Sequence, residues 1–214
     1  EWRNHVMMVA DDEDSGVHMS QSEKMLYWMN ETTPGADLFF FDKVYIDTYK
    51  RTAQGYPEAR ALMFKHLNEG TMWWNYIGHA SDHGWTHEKF LTMDDIEDLY
   101  LRRYPILFAS TCDFLRWDRA DESGAEVMFH NSSGGVIAAI SATRPVYISD
   151  NGILSLAMGR HMFQRDDDGR LRTIGEIYRN AKNDMRPLTT NPATNEEILG
   201  SVSANSNKLR YVLM

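Results

Sequence analysis

The sequence predicts an α/β fold built around a mostly parallel sheet, and two observations carry that expectation. Short apolar runs alternate along the chain with amphipathic stretches of helical period, which is the pattern of repeated strand–helix units. Polar groups able to do chemistry also come directly after three of the apolar runs, where an open parallel sheet gathers its ligands. The composition permits such a fold: of 214 residues, 43% are hydrophobic and 25% charged, enough apolar matter for a core.

The first element, His5 to Ala10 (HVMMVA), reads as a buried strand running into the acid cluster Asp11, Asp12, Glu13 and Asp14. Ser22 to Asn30 reads as a helix with Met25, Leu26 and Met29 on one face. Asp42 to Asp47 alternates and predicts a second strand. Pro57 opens a helix carrying Ala61, Leu62, Phe64 and Leu67, and Gly70 closes it. Met72 to Ile77 (MWWNYI) is the third strand, with Gly78-His79-Ala80 immediately after it. A helix is expected over Met93 to Leu101, then a fourth strand at Ile106 to Ser110 that ends in Thr111-Cys112. A helix near Ser123 to Asn131 leads through Gly134-Gly135 to a fifth strand at Val136 to Ile140. Helices are expected over Asn151 to Phe163 and Ile174 to Asn183, with a turn at Asp166 to Gly169 between them. A polar stretch near 187–206 precedes a last strand at Lys208 to Leu213. No repeat and no long linker divides the chain, so one domain over 1–214 is expected.

Charge and length narrow the function. With 22 Lys+Arg against 31 Asp+Glu the formal charge is −9, which leaves no basic stripe for a phosphate backbone, so no nucleic-acid partner is expected. No apolar run approaches the roughly 18 residues of a membrane helix. The chain opens on Glu1, not Met, and reads as a piece cut from a longer precursor. Its single cysteine, Cys112, rules out an internal disulfide.

A lone cysteine is either a small buried hydrophobe or a nucleophile, and the second requires a base. His79 and Cys112 each come just after a strand and are separated by one strand–helix unit, so adjacent parallel strands would set them side by side. A free thiol, with a pKa of about 8.5, needs such a neighbour to react at neutral pH. His79, His83 and His87 recur every four residues, with Asp82 and Glu88 beside them. Gly78 and Gly84 flank them, however, and a loop gives helical spacing nothing to act on, so no metal is assigned there. The acid cluster at 11–14 reads as a solvated loop or as a structural calcium site, and no other cofactor is expected.

The motifs resemble those of the gingipain-type cysteine peptidases, family C25. Asn75-Tyr76-Ile77-Gly78-His79-Ala80, with Trp85 and Glu88 after it, resembles their histidine motif. Pro105 to Cys112 (PILFASTC) resembles their nucleophile strand. Ser123-Gly124-Ala125-Glu126, then Gly134 to Ala139 (GGVIAA), Ser141 to Arg144 (SATR) and Val146-Tyr147 resemble the family's segments downstream of that strand. The resemblance runs from His5 to Met214.

It implies a caspase-like three-layer α/β/α sandwich with a mostly parallel central sheet. It implies Cys112 as nucleophile, His79 as acid/base, and the backbone N–H groups of Cys112 and Ala80 as oxyanion hole. Asp12 falls where the family has the carboxylate that orients the histidine, with Asp11 one step away. Tyr147 falls at the wall of the first specificity pocket; Trp85 and Arg144 are also assigned to substrate binding, Arg144 either to attract an acidic group or to form a surface salt bridge. Ala80 stands where the family has Gly, and Asp is shorter than the usual Glu. The stretch around His18 and Met19 lacks the carboxylate of arginine-specific members, so no trypsin-like preference is expected.

Thr111 to Asp118 (TCDFLRWD) and Leu209 to Met214 (LRYVLM) most resemble the sortase branch of the family, in the type IX secretion system of Bacteroidota. That implies an outer-membrane cell-surface location, a cargo C-terminal domain as protein substrate, and attachment-complex proteins as partners. A purely hydrolytic peptidase and a silent scaffold domain are the alternatives.

Overall fold

In the computed structural model, which describes residues 1–33, 38–203 and 207–214, the apolar runs assemble into one six-stranded sheet. Its strands are β1 (His5–Ala10), β2 (Phe40–Tyr45), β3 (Trp73–Ile77), β6 (Ile106–Ser110), β7 (Ala138–Ala142) and β10 (Tyr211–Leu213), in the order β10-β7-β6-β3-β1-β2. The first five are parallel, and β10 pairs antiparallel with β7 at one edge. Two hairpins stand apart, β4 (Ala80–Ser81) with β5 (Gly84–Trp85) and β8 (Leu188–Thr190) with β9 (Glu197–Leu199).

Both faces of the sheet are covered because its strands are apolar on both. Met7, Val9, Trp74, Tyr76, Leu107 and Ala109 meet α2 (Pro57–Glu69), α3 (Met93–Glu97) and α4 (Gly124–His130) on one side. Val6, Met8, Trp73, Ile77, Phe108 and Ile140 meet α1 (Val17–Thr32), α5 (Ile148–His161) and α6 (Ile174–Asn183) on the other. This is the expected three-layer α/β/α sandwich.

The boundaries differ from the sequence reading where pairing overrides local pattern. β2 begins at Phe40 and ends at Tyr45, since its partners are His5 to Ala10, and the last predicted residues turn instead into a 3-10 segment over Ile46–Thr48. β7 lies two residues later than predicted, because its register runs Ile106↔Ala138 to Ala109↔Ser141. α3 stops at Glu97, and Leu99 and Leu101 reach the core from non-helical chain. α1 begins at Val17 and α5 at Ile148, both earlier than expected. The polar stretch contains the β8–β9 hairpin, and its residues 204–206 lie outside the described residues. The expected terminal strand splits into a helical turn, α7 (Asn207–Arg210), and the three residues of β10.

Strand order changes direction between β1 and β3: from β1 the chain moves outward to β2, and from β3 inward to β6 and β7. The crevice beyond the carboxyl ends at such a point is where open α/β sheets bind ligands. Asp11 leaves β1 there, His79 leaves β3 and Cys112 leaves β6.

Candidate active site

Parallel register fixes the relation of the two candidate reactive residues. Ile77 of β3 is opposite Ser110 of β6, so His79 and Cys112 each stand two residues beyond a matched pair. The Gly78 amide reaches the Ser110 carbonyl at 3.4 Å, carrying the pairing one step past the strand. Gly78 is required there: a Cβ would lie 2.3 Å from Asp11 Cβ and 2.7 Å from the Tyr76 hydroxyl.

Carboxylates surround His79. Asp11, fully buried, accepts the His79 backbone N–H at 2.9 Å and faces Nδ1 at 3.0 Å through the same Oδ2. Burial drives the Asp11 carboxyl up to about 6, against the opposing pull of His79. Glu13 Oε2 stands 3.4 Å from Nδ1 and Asp14 Oδ2 3.3 Å from Nε2. Tyr76 donates its hydroxyl to the His79 carbonyl at 2.6 Å, so backbone and ring are both fixed. Nε2, the nitrogen on the far side from Asp11, is turned toward Asp14.

The assignment of Asp12 as orienting carboxylate is corrected: the group on His79 is Asp11. Asp12 Oδ2 instead accepts the Tyr56 hydroxyl at 2.7 Å. Side chains alternate faces as the chain leaves a strand, and Asp12 is turned to Tyr56 while Asp11 faces the ring.

Cys112 is half-buried in the turn after β6. The Thr111 amide folds back to the Ala109 carbonyl at 3.1 Å, and Asp113 adopts φ 51°. The sulfur accepts from the Val146 N–H at 3.4 Å and lies 3.5 Å from the Val146 carbonyl. Beneath this turn the Ser155 hydroxyl donates to Ser110 Oγ at 2.9 Å, and the Tyr211 hydroxyl to Asn151 Oδ1 at 2.9 Å. The Cys112 amide thus sits in the turn after β6, and the Ala80 amide at the start of β4.

The residues expected to bind substrate fall in three places. Tyr147 is 68% exposed at the start of α5, next to Val146, with the Arg210 guanidinium 5.9 Å from its ring. Arg144 forms a two-pronged ion pair with Asp118, at 3.0 and 2.7 Å, which is the salt bridge foreseen as one of its two roles. The substrate-binding assignment of Trp85 is corrected. Its ring is fully buried, stacked 4.0 Å from Tyr76 and packed against Trp74 and Phe114, because β4 and β5 fold it inward.

Among the described residues, His79, His83 and His87 form no common metal-ligating group, although the His79 and His87 rings stack at 6.0 Å. His83 pairs with Asp82 at 2.8 Å and His87 with Glu13 at 2.7 Å, which raises the His87 pKa. The stretch around His18 and Met19 was singled out only for lacking a specificity carboxylate, and His18 was given no role of its own. It lies buried on α1, edge-on to His79 at 5.2 Å between ring centroids, and burial lowers its pKa. Its helix was expected to begin at Ser22, so the sequence did not show that it meets His79.

The profile of Peptidase family C25 matches residues 1–214. The chain belongs to peptidase family C25. Solved structures agree on the fold of this C25 chain. It is similar to the Arg-specific cysteine proteinase gingipain R, at 15% identity and TM-score 0.65, over 85% of this chain and 41% of that one. A structure described only as a protease gives 16% identity and TM-score 0.72, over 100% and 47%. The complex of the pro- and mature domains of RgpB from Porphyromonas gingivalis gives 16% and 0.65, over 86% and 43%. The chain therefore spans less than half the length of each. No curated protein sequence matches it. Among the described residues, no helix is long and apolar enough to cross a membrane.

Proposed function

We propose that this chain is the catalytic domain of a C25 cysteine endopeptidase, in which Cys112 is the nucleophile and His79 the acid/base. One observation supports the reading: with Ile77 opposite Ser110, both residues follow by two positions the ends of neighbouring parallel strands. Asp11 holds Nδ1, leaving Nε2 for proton transfer. His79 takes the proton as the Cys112 sulfur attacks a peptide carbonyl, and returns it to the departing amine. The Cys112 and Ala80 amides would stabilise the oxyanion. The resulting thioester is resolved by water or by a second amine.

Productive geometry requires Nε2 to exchange Asp14 for the thiol. Asp14 is suited to leave, since it is partly exposed on a loop where Asp14 and Ser15 both have φ 57°, a conformation unfavourable for non-glycine residues.

Within this activity we favour transpeptidation. The segments 111–118 and 209–214 resemble PorU, the sortase of the type IX secretion system. On that reading the enzyme removes the C-terminal sorting domain of secreted cargo. It then joins the new carboxyl end to an amine of cell-surface lipopolysaccharide. Its place would be the outer membrane of a Gram-negative Bacteroidota bacterium, alongside attachment-complex proteins, as one domain of a larger chain.

Two experiments test this. Iodoacetamide alkylation of Cys112 is measured against pH in the native chain and in His79→Ala. A rate that stays high well below about pH 8.5 and falls to ordinary thiol behaviour in the variant is expected for an activated pair. An ordinary thiol indifferent to His79 would leave a silent scaffold domain. A cargo C-terminal domain is then offered with saturating small amine; hydrolysed product alone would reduce the assignment to a hydrolytic peptidase.

A further inference from the structure

Beyond His79, on the side away from Cys112's strand, lies a cavity of about 700 Å³ with basic walls. Arg51, Arg60, His87 and Lys89 line it, against the single carboxylate of Glu88. Glu88 Oε1 accepts from Arg51 at 2.6 Å, so that charge is already matched. Arg60 bonds Asp95, which does not line the cavity. Lys89 is exposed, and among the described residues no carboxylate pairs with it. His87 bonds Glu13 at 2.7 Å, which raises its pKa, and its ring stacks on that of His79 at 6.0 Å. In a chain of formal charge −9, such a wall runs against the rest of the composition. It is also set in place before any ligand arrives. Thr52 and Gly55 exchange backbone hydrogen bonds at 2.8 and 3.2 Å. A Cβ on Gly55 would stand 3.0 Å from the Glu88 carbonyl oxygen, so the loop over 51–56 is seated on the turn over 86–90.

We propose that this cavity binds an acidic side chain of a peptide substrate, in the segment that departs when the bond is cut. The departing side rests on His79 being the acid/base; the preference for an acid does not. His79 delivers its proton to the leaving amine, so the released segment begins at the imidazole and runs on away from Cys112. That direction leads over His87 into the cavity. Glu13 and Asp14, at 3.4 and 3.3 Å from the His79 ring nitrogens, would meet the new ammonium, and the basic wall the acid further along. An extended peptide advances about 3.3–3.6 Å per residue. With the His87 ring 6.0 Å from that of His79, the acid belongs to about the second to fourth residue of the segment. Arg51 meets Glu88 through Nη2, and its side chain remains 62% exposed, so the rest of its planar fork is open to a carboxylate. Lys89 adds a point charge on a flexible stem.

The test is binding, measured by fluorescence anisotropy on the full 214-residue chain carrying Cys112→Ala, so that it needs no cleavage. The probe is Ala-Ala-Glu-Ala with a free amino end and a neutral dansyl amide at its carboxyl end. It should bind at least about tenfold more tightly than Ala-Ala-Gln-Ala, and the difference should shrink as salt rises. Lys89→Glu should abolish the preference, while Lys208→Glu, the same charge change beside the opposite edge strand, leaves it intact. Thermal melting shows whether each variant is folded. Should Lys89→Glu fail to fold, Lys89→Gln is read in its place, with at least about a threefold loss expected. Acetylating the probe's amino end should also weaken binding, and unchanged affinity would overturn the orientation. Equal affinity for the Glu and Gln peptides would overturn the site, as would a preference that survives in the folded Lys89 variant. Inorganic phosphate that binds more tightly than the Glu peptide would overturn the choice of a peptide acid. An ordinary thiol at Cys112 in the alkylation experiment would overturn the place of the segment, while the binding result stands.

Discussion

Asp11 and Asp12 are chemically identical neighbours with opposite surroundings. Asp11 bonds both the backbone and the ring of His79, whereas Asp12 serves Tyr56. Asp11→Asn should lower kcat/KM for peptide cleavage by about 100-fold, because general acid–base catalysis contributes about 10²–10⁴ and depends on the ring's orientation. Asp12→Asn, assayed under the same conditions, should stay within about threefold of the parent by that same reasoning. Equal losses would return the orienting role to Asp12. Asp14 acts in the other direction, since it covers Nε2. Asp14→Ala should raise the alkylation rate of Cys112 at neutral pH, and a slower rate would mean that the loop assists the pair.

At the scale of elements, the β4–β5 hairpin is a packing device. It turns Trp85 into the core against Tyr76, the residue that also holds the His79 carbonyl. Trp85→Ala should cost about 3–5 kcal/mol, the usual penalty for emptying a buried aromatic site, read by chemical denaturation. A loss below about 1 kcal/mol would show that the cavity collapses. At the far end of the molecule, α5 and α6 are closed by Asp184, which accepts from Arg160 and faces His161, both at 3.0 Å. Burial would raise the Asp184 carboxyl, but Arg160 and then His161 hold it below the ordinary carboxylate range. The folded state thus binds this proton less readily than the unfolded one. The stability it adds is complete above the ordinary carboxylate pKa of about 3.9. It is lost as pH falls through the lowered value. The Tm difference between the native chain and Asp184→Asn should be constant from pH 5 to 7 and shrink below pH 4. A difference that grows on acidification would contradict the pairing.

Over the whole molecule, the edge strand β10 is tied through side chains to the turn after β6. The Tyr211 hydroxyl donates to Asn151 Oδ1 at 2.9 Å and reaches the Thr111 carbonyl at 3.4 Å. Tyr211→Phe should cost about 1 kcal/mol, since Asn151 Oδ1 still accepts from Asn207 at 2.9 Å and one net hydrogen bond is lost. Thermal melting checks it, and a change of several kcal/mol would mean that the hydroxyl anchors the edge of the sheet. The fold is that of a gingipain over more than four-fifths of this chain, yet the chain covers less than half of the gingipain structures.

Much of this was legible in the residues. The apolar runs HVMMVA, WWNYI and ILFAS name their own strands, because a strand buried on both faces must be apolar throughout. The helix from Pro57 to Glu69 carries its own start signal in Pro57 and its stop in Gly70. The placing of His79 and Cys112 came from strand ends alone, since parallel neighbours deliver their last residues to one edge. Three things needed the tertiary structure. The bounds of β2 and β7 were set by the strands they pair with, and local sequence carries no record of a partner's length. Trp85 reads as a pocket residue or a core residue equally well until the hairpin chooses a face. The choice of Asp11 over Asp12, the burial of His18, and the gathering of Arg51, Arg60 and Lys89 on one cavity arise where separate segments of chain meet. Sequence proximity decides which groups are available near the site. Only the packing of distant segments decides which of them touch.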